Sequence, residues 1–472
     1  MTLRRRDVLR LGAGGLAMAP LLSACAGSGE VLDVAIIGAG VSGMTAGHAL
    51  AKKGVKSFAV IEGRDRVGGR TFNQTVNGQP VESGTTWIGP GQTRMYELCE
   101  ELGLEVFPSY WKGDYQFIVG GEPMRLTGKL PPAISDPALL ARVESLARTV
   151  PLDAPFRAPD AARLDAQTFA DYLKAHGMPA EELEVMNATA IQTFGARGDQ
   201  ISLLYVLFYI HSAGSYTALE TMEGGAQQDR IKGGTQAVTL ALQKRLGDHL
   251  RFNSPVKRIR NWDGAGPVVI ESEDGRILAR RVILALSPSQ AGEIAFDPPL
   301  PKGRQAILDG WPRGGSALTM HFGYRTPFWR KQGLSGLGLE IFDGGSMLIA
   351  DVSPEDGSSG ILKAMGPVGS AEARKAQALA AFVKLFGPEA ATPTEVVHQD
   401  WSRERFTRGC VSPMAPGFLS SLDTPLAAPC GALHWAGTET STIWMGYMDG
   451  AARAGDRAAL EAIDGLGQGA RR

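Results

Sequence analysis

The sequence predicts an α/β protein with a parallel sheet near its amino-terminal end, and three adjoining observations carry that expectation. Val31-Leu32-Asp33-Val34-Ala35-Ile36-Ile37 is a run of strand formers with a single charge, the pattern of a strand buried on both faces of a parallel sheet. It runs straight into Gly38-Ala39-Gly40-Val41-Ser42-Gly43 and a helical pattern through Ala51. A second strand, Phe58-Ala59-Val60-Ile61, then ends at Glu62, about 20 residues past the glycines. Gly38 permits the tight turn, Gly40 lets the backbone approach a pyrophosphate, and Gly43 allows close helix–strand packing. The helix start presents free amides to the anion. Glu62 accepts from a ribose hydroxyl, which disfavours a phosphorylated ribose. The order of these parts predicts dinucleotide binding and leaves NAD and FAD both open.

With 472 residues, 44% hydrophobic and 21% charged, the chain can bury a core large enough for two or three domains. A net charge of -1 argues against nucleic acid or a broadly anionic surface as the main partner. The 60 glycines are scattered rather than periodic, so a collagen-like or disordered reading fails. Residues 1–30 read as an address. Arg4-Arg5-Arg6 with Val8-Leu9-Arg10 precedes a short apolar stretch, the pattern of a twin-arginine export signal, with a general secretory leader as the alternative. Leu22-Ser23-Ala24-Cys25 looks like a lipoprotein box that would anchor the chain through Cys25; Ala24-Cys25-Ala26 also fits cleavage to a soluble periplasmic form. Cys99, Cys410 and Cys430 form neither a disulfide framework nor a metal-ligand spacing, so no metal is expected.

Glu62-Gly63-Arg64-Asp65-Arg66-Val67-Gly68-Gly69-Arg70-Thr71 follows the ribose acid with a basic, glycine-rich loop. Here the sequence resembles the flavin-dependent monoamine oxidase family. The resemblance implies FAD, with Glu62, Arg64, Gly69 and Arg70 on cofactor-binding positions. It extends from about Val31 to about Ile463 through Gly84-Thr85-Thr86-Trp87, Gly224-Gly225-Ala226-Gln227, Ser254-Pro255-Val256, Pro327-Phe328-Trp329-Arg330 and Trp401. It implies a Rossmann-like FAD-binding domain, assembled from 31–106, 232–305 and 404–466. An α+β substrate domain, 107–231 and 306–403, is interleaved with it. Val256 and Trp401 fall on cofactor positions, and Trp87 and Gln227 on the pocket. The membrane helix that some family members carry at the carboxy terminus has no match after Ile463, so anchoring is expected at Cys25.

The same resemblance places the reacting centre between Arg408 and Asp449. Arg408-Gly409-Cys410 matches the motif whose cysteine carries FAD covalently, which needs a thiolate beside the flavin ring; a packed thiol is the alternative. Glu439 corresponds to an acid at the ribityl–phosphate region, and Gly446-Tyr447-Met448 starts a helix facing the flavin, with Met448 a cofactor residue. Tyr447 matches one of two tyrosines that cage the amine and favour its neutral form. Val411 stands where the second is expected. Thr319 stands where the family has a lysine that assists reaction with O₂, so electron transfer to a periplasmic acceptor enters as an alternative. His211 is placed at the pocket or as a satisfied core histidine.

The expectation is thus an exported FAD-dependent amine oxidoreductase whose partners are a small-molecule amine and O₂ or a periplasmic acceptor; a homodimer is left open. An L-amino-acid oxidase would need a pocket arginine, with Arg197 or Arg230 available, and a non-catalytic flavin-binding lipoprotein is the alternative of another class.

Overall fold

Strand β1 (Val31–Ile37) is apolar on both faces because both faces are covered: Val34, Ala35 and Ile36 are fully buried. Helix α1 (Val41–Lys52) follows, then β2 (Phe58–Ile61), parallel to β1 on one side, while β3 (Gly275–Leu284) is parallel to it on the other. These strands are central to an eight-stranded sheet ordered Leu250–Arg251, β2, β1, β3, Val268–Ser272, Val256–Arg260, Ala295–Asp297, with Leu433–Trp435 added beside the end of β3. The computed structural model describes residues 30–469 apart from 129–132, 265, 316–317, 344 and 367–368. The expected export signal and Cys25 lie outside the described residues.

A second sheet, of seven strands, draws on Asp114–Leu126 and on residues 318–400. Strand β4 (Leu318–Tyr324) pairs antiparallel with β5 (Gly360–Gly366) and with Glu395–Asp400. All seven residues of β4 are buried, so both faces are covered. Leu318, Met320, Phe322 and Tyr324 pack with Phe382 and Phe386 of the helix Ala371–Phe386. By the strand's period of two, Thr319 and His321 point to the opposite face.

Helix α2 (Leu203–Ala213) is apolar all round and accordingly buried along nearly its whole length. Ser202 caps it, its Oγ accepting from the Tyr205 N–H at 3.3 Å. The closing helix α3 (Met448–Gly469) lies against α1 through small residues; a Cβ at Gly455 would collide with the Ser42 carbonyl. This close approach brings the start of α3 to the start of α1. Among the described residues, no helix is long and apolar enough to cross a membrane.

Candidate active site

The ends of β1 and β2 and the starts of α1 and α3 converge on a cleft. Its lining includes Gly38, Gly40, Glu62, Arg64 and Gly69 together with Arg70, Cys410, Tyr447 and Met448. This is the position that an open parallel sheet offers a ligand, outside the carboxyl ends of its strands. Gly38 has φ +103°, and a Cβ there would meet the Ala285 carbonyl at 2.7 Å. Gly40 is the N-cap of α1 and supplies no side-chain hydrogen bond, so the first amides of the helix stay open to the cleft. Gly43 does not line the cleft; a Cβ there would collide with the Gly38 carbonyl, which is the packing role expected of it.

Glu62 fixes the turn as well as lining the cleft. Its Oε2 accepts from the Ala39 N–H (2.8 Å) and its Oε1 from the Arg64 N–H (2.9 Å). Arg64 donates to Glu404 (2.9 Å) and Thr407 (2.7 Å). Arg70 Nη1 donates to Glu439 Oε1 (3.0 Å) and to the Cys410 carbonyl (3.1 Å), tying the basic loop to both halves of the reacting centre. Glu439 is 3% exposed, and its Oε2 has no protein partner. It acts on the cleft through Arg70 rather than by lining it.

Cys410 is presented by a tight loop in which Arg408 has φ +52° and Gly409 φ +127°. Burial pushes its thiol above the usual range, while Arg70 and Lys363 pull it back down. Gly446, with φ +86°, lies so close to Tyr209 that a Cβ would meet the phenol carbon at 2.9 Å. Tyr447 stacks edge-on against Trp444 (5.0 Å between ring centres) and stands 6.0 Å from Tyr209. Burial pushes both phenols well above their ordinary value, so both are neutral.

Several expected residues stand outside the lining of this cleft. Val256 opens its strand and packs into the apolar core beneath the sheet. Trp401 is buried behind the wall, its Nε1 donating to the Ser83 carbonyl at 2.8 Å. Val411 lies against Gly195, and Thr319 is 3% exposed. Trp87 is half-buried, its ring 6.3 Å from Trp111. Gln227 donates to the Leu219 carbonyl (3.0 Å), leaving its own buried oxygen unpartnered. His211 Nδ1 sits 2.8 Å from the Val150 carbonyl, which favours the satisfied core histidine over a pocket role. Both arginines held in reserve for a carboxylate are ion-paired: Arg197 to Glu184 and Asp199, Arg230 to the fully buried Glu82.

Sequence reasoning missed Tyr209, Lys363 and the Ala285–Gln290 segment, which lines the cleft after β3. The last was findable: an apolar strand ending in Ala285-Leu286-Ser287 puts small residues at the carboxyl end of a parallel strand.

The residues present fit FAD. A Cβ at Gly40 would meet nothing closer than the Gly68 carbonyl at 3.9 Å, so the space above it belongs to the cleft. A cysteine in the same lining, and the unpartnered buried carboxylate oxygen of Glu439 behind Arg70, complete the set. A dinucleotide cleft lined also by a cysteine and a tyrosine defines a flavoprotein oxidoreductase.

Comparison with known proteins narrows this. The model of the flavin containing amine oxidoreductases matches residues 41–463. The Mycobacterium tuberculosis protein AofH, named as a flavin-containing monoamine oxidase, is 36% identical over 91% of this chain and 96% of its own. Flavin-containing amine oxidase B of Sus scrofa is 31% identical over 92% and 87%. Among solved structures, cyclohexylamine oxidase from Brevibacterium oxydans superposes with a TM-score of 0.86 at 32% identity, over 93% of this chain and all of that one. Putrescine oxidase bound to putrescine gives 0.83 at 31%, over 92% and 99%. The chain belongs to the flavin-containing amine oxidoreductase family, and its chemistry is FAD-dependent amine oxidation.

Proposed function

We propose that this chain is an exported amine oxidase that holds FAD covalently through Cys410 and passes electrons to O₂. One observation carries the reading: Cys410, Tyr447 and Met448 line the same cleft as Gly38, Gly40 and Glu62. Segments 31–106, 232–305 and 404–466 hold the cofactor, and 107–231 and 306–403 shape the substrate pocket.

When bound, FAD supplies the acceptor for a hydride from the carbon next to the amine nitrogen. The chain's own residues do the rest. Tyr447, backed by Tyr209, presents a neutral aromatic wall, which desolvates the amine and favours its free base. Only that form has the lone pair that drives hydride departure. Loss of hydride from carbon and a proton from nitrogen gives an imine, which water converts to a carbonyl compound and ammonia or a smaller amine. Arg70, fixed by Glu439, holds the Cys410 loop in place. Val411 is smaller than a cage aromatic, so the pocket differs in shape from one with two cage tyrosines, and the substrate is an amine other than a small arylalkylamine. Neighbours named for cyclohexylamine and bound to putrescine support an aliphatic amine. Residues 1–30 direct export by the twin-arginine route, with a lipid anchor at Cys25.

The second reading is an amine dehydrogenase serving a periplasmic cytochrome, favoured by Thr319 in place of a lysine. An anaerobic screen of cyclic, linear and diamine substrates, read as bleaching of the flavin, tests the activity. Separate mixing with O₂ and cytochrome c then divides the two readings: fast reoxidation by air alone removes the dehydrogenase. Acid precipitation tests the linkage, since a colourless precipitate rules out the bond to Cys410.

A further inference from the structure

Strands β4 and β5 run antiparallel with Thr319 opposite Met365 and His321 opposite Lys363. Lys363 therefore projects from the face that also carries Thr319, one step along the neighbouring strand. Its side chain is 1% exposed. Its Nζ donates to the carbonyls of Glu82 (3.0 Å) and Gly84 (3.1 Å) and to the Thr86 hydroxyl, and lies 5.4 Å from the Trp87 ring. Within this bonded segment, Thr85 lines the cleft.

Each of those acceptors is a neutral oxygen. The nearby Glu82 carboxylate is already spanned by Arg230, at 2.9 and 3.2 Å. Arg64 and Arg70, which line the cleft, are ion-paired to Glu404 and Glu439. His321 is held neutral by burial, with Lys363 and Arg230 adding to the effect. Glu62 also pairs with Arg64, and Glu404 with Arg66. Summed over Arg64, Arg66, Arg70, Arg230 and Lys363 against Glu62, Glu82, Glu404 and Glu439, one positive charge is left over, and the cation without a carboxylate of its own is Lys363. Burial pushes that ammonium down to about 8, yet it still acts on Cys410 in the cleft. An uncompensated buried cation is costly unless negative charge answers it. Reduction of FAD by an amine adds two electrons and one proton, leaving one more negative charge on the ring.

We propose that Lys363 is a positioning residue of the flavin site: from the strand beside Thr319 it ties down the Glu82–Thr86 wall and sets a fixed positive charge that favours the reduced cofactor. The proposal rests on the FAD assignment and goes beyond it, since the cation comes from β5 and not from position 319.

The test uses the holoenzyme and two readouts other than turnover: the midpoint potential of the flavin, and the affinity of the oxidised flavin for sulfite, whose adduct is anionic. Lys363→Met is expected to weaken sulfite binding about tenfold and to lower the reduced-state equilibrium by the same factor, about 30 mV for a two-electron couple. Lys363→Arg should stay within about twofold of wild type. Adding Thr319→Lys to Lys363→Met should recover most of the loss. Unchanged potential and sulfite affinity in Lys363→Met, with a lowered Tm, would overturn the proposal and leave only a role in holding the wall. Should Lys363→Met not retain flavin, Lys363→Gln, which keeps a donor toward the Glu82 and Gly84 carbonyls but removes the charge, is measured in its place. Unchanged potential and sulfite affinity in that variant overturn the proposal. Absence of flavin absorbance from wild type would instead overturn the FAD assignment.

Discussion

The two glycines Gly40 and Gly43 lie three residues apart, and the structure predicts opposite consequences for adding one methyl group to each. Gly40 has φ -74° and ψ -179°, which any residue adopts, and a Cβ there meets only the Gly68 carbonyl, at 3.9 Å. Gly40→Ala should therefore leave the stability of the apoprotein within about 0.5 kcal/mol of wild type. The added methyl instead occupies the cleft directly above the open amides of α1. Displacing a pyrophosphate from one or two amides forfeits charge-assisted hydrogen bonds worth about 1.5–3 kcal/mol each. FAD affinity should then fall by about 100-fold, from roughly 3 kcal/mol at 1.4 kcal/mol per decade. At Gly43 the same methyl collides with the Gly38 carbonyl and comes within 3.1 Å of Ala285 Cβ. Gly43→Ala should cost about 1–3 kcal/mol of apoprotein stability by overpacking. Urea unfolding of apoprotein and FAD titration by fluorescence quenching, both in a Cys410→Ser background, separate the outcomes. Full affinity in Gly40→Ala would refute the placement of the pyrophosphate at this helix, and unfolding of that variant would refute the reading of Gly40 as a ligand-approach residue.

Three further outcomes are expected. Burial raises the Glu220 carboxyl from 4.5 to about 7, so the folded state keeps a proton that the unfolded state releases. Stability should accordingly fall as pH rises from 4.5 to 7 and level off above, and Glu220→Gln should gain about 1–3 kcal/mol at pH 8 but little at pH 4.5, measured by urea unfolding. Arg230→Met strands the fully buried Glu82 carboxylate and should cost about 3–5 kcal/mol, most of it recovered when Glu82→Leu is added; equal instability of the single and double variants would show that the ion pair is not the cause. Tyr209→Leu removes the ring facing Tyr447 and should lower kcat/KM about tenfold, a loss of about 1.4 kcal/mol, with Tyr209→Phe nearly unaffected; kinetics on one amine at several pH values check this.

What could be read from the sequence was whatever is encoded locally. The strand, glycine triplet, helix, strand and Glu62 are one continuous unit, and the structure forms it with β1 and β2 at the residues read from the pattern. Cys410 and Tyr447 were legible through the family resemblance, each carried by a short motif whose backbone needs glycine, at Gly409 and Gly446. The residues that escaped notice depend on pairing between distant segments. Alternation in β5 puts Lys363 on one face with Ile361 and Met365. It says nothing of the Glu82–Thr86 loop that receives the ammonium, whose Thr86 is 277 residues away in sequence. Nor does it show that Ile361, fully buried, packs with Val76 and Val81 of the hairpin leading into that loop. Tyr209 was hidden for a different reason. Helix α2 is apolar on every side, so periodicity does not show which of its residues meets the cleft.

That hidden helix bears on the gap left by Val411. The Val411 side chain lies against the Gly195 backbone, where a Cβ on the glycine would come within 3.3 Å of the valine's own. Gly195 has φ +83° and closes the helix Ala180–Phe194, so the backbone there has little freedom to retreat. A larger side chain at 411 would have to displace this turn. Tyr447 is backed instead by Tyr209, 6.0 Å between ring centres, which is itself held edge-on by Phe194 (5.4 Å) and Tyr205 (5.8 Å). A wall built on a buried helix is fixed by the packing of that helix, whereas one built on the Cys410 loop would move with the loop. The shape of the amine pocket in this chain therefore depends on how α2 packs, and substitutions along Tyr205–Tyr209 should alter substrate preference more than substitutions at 411.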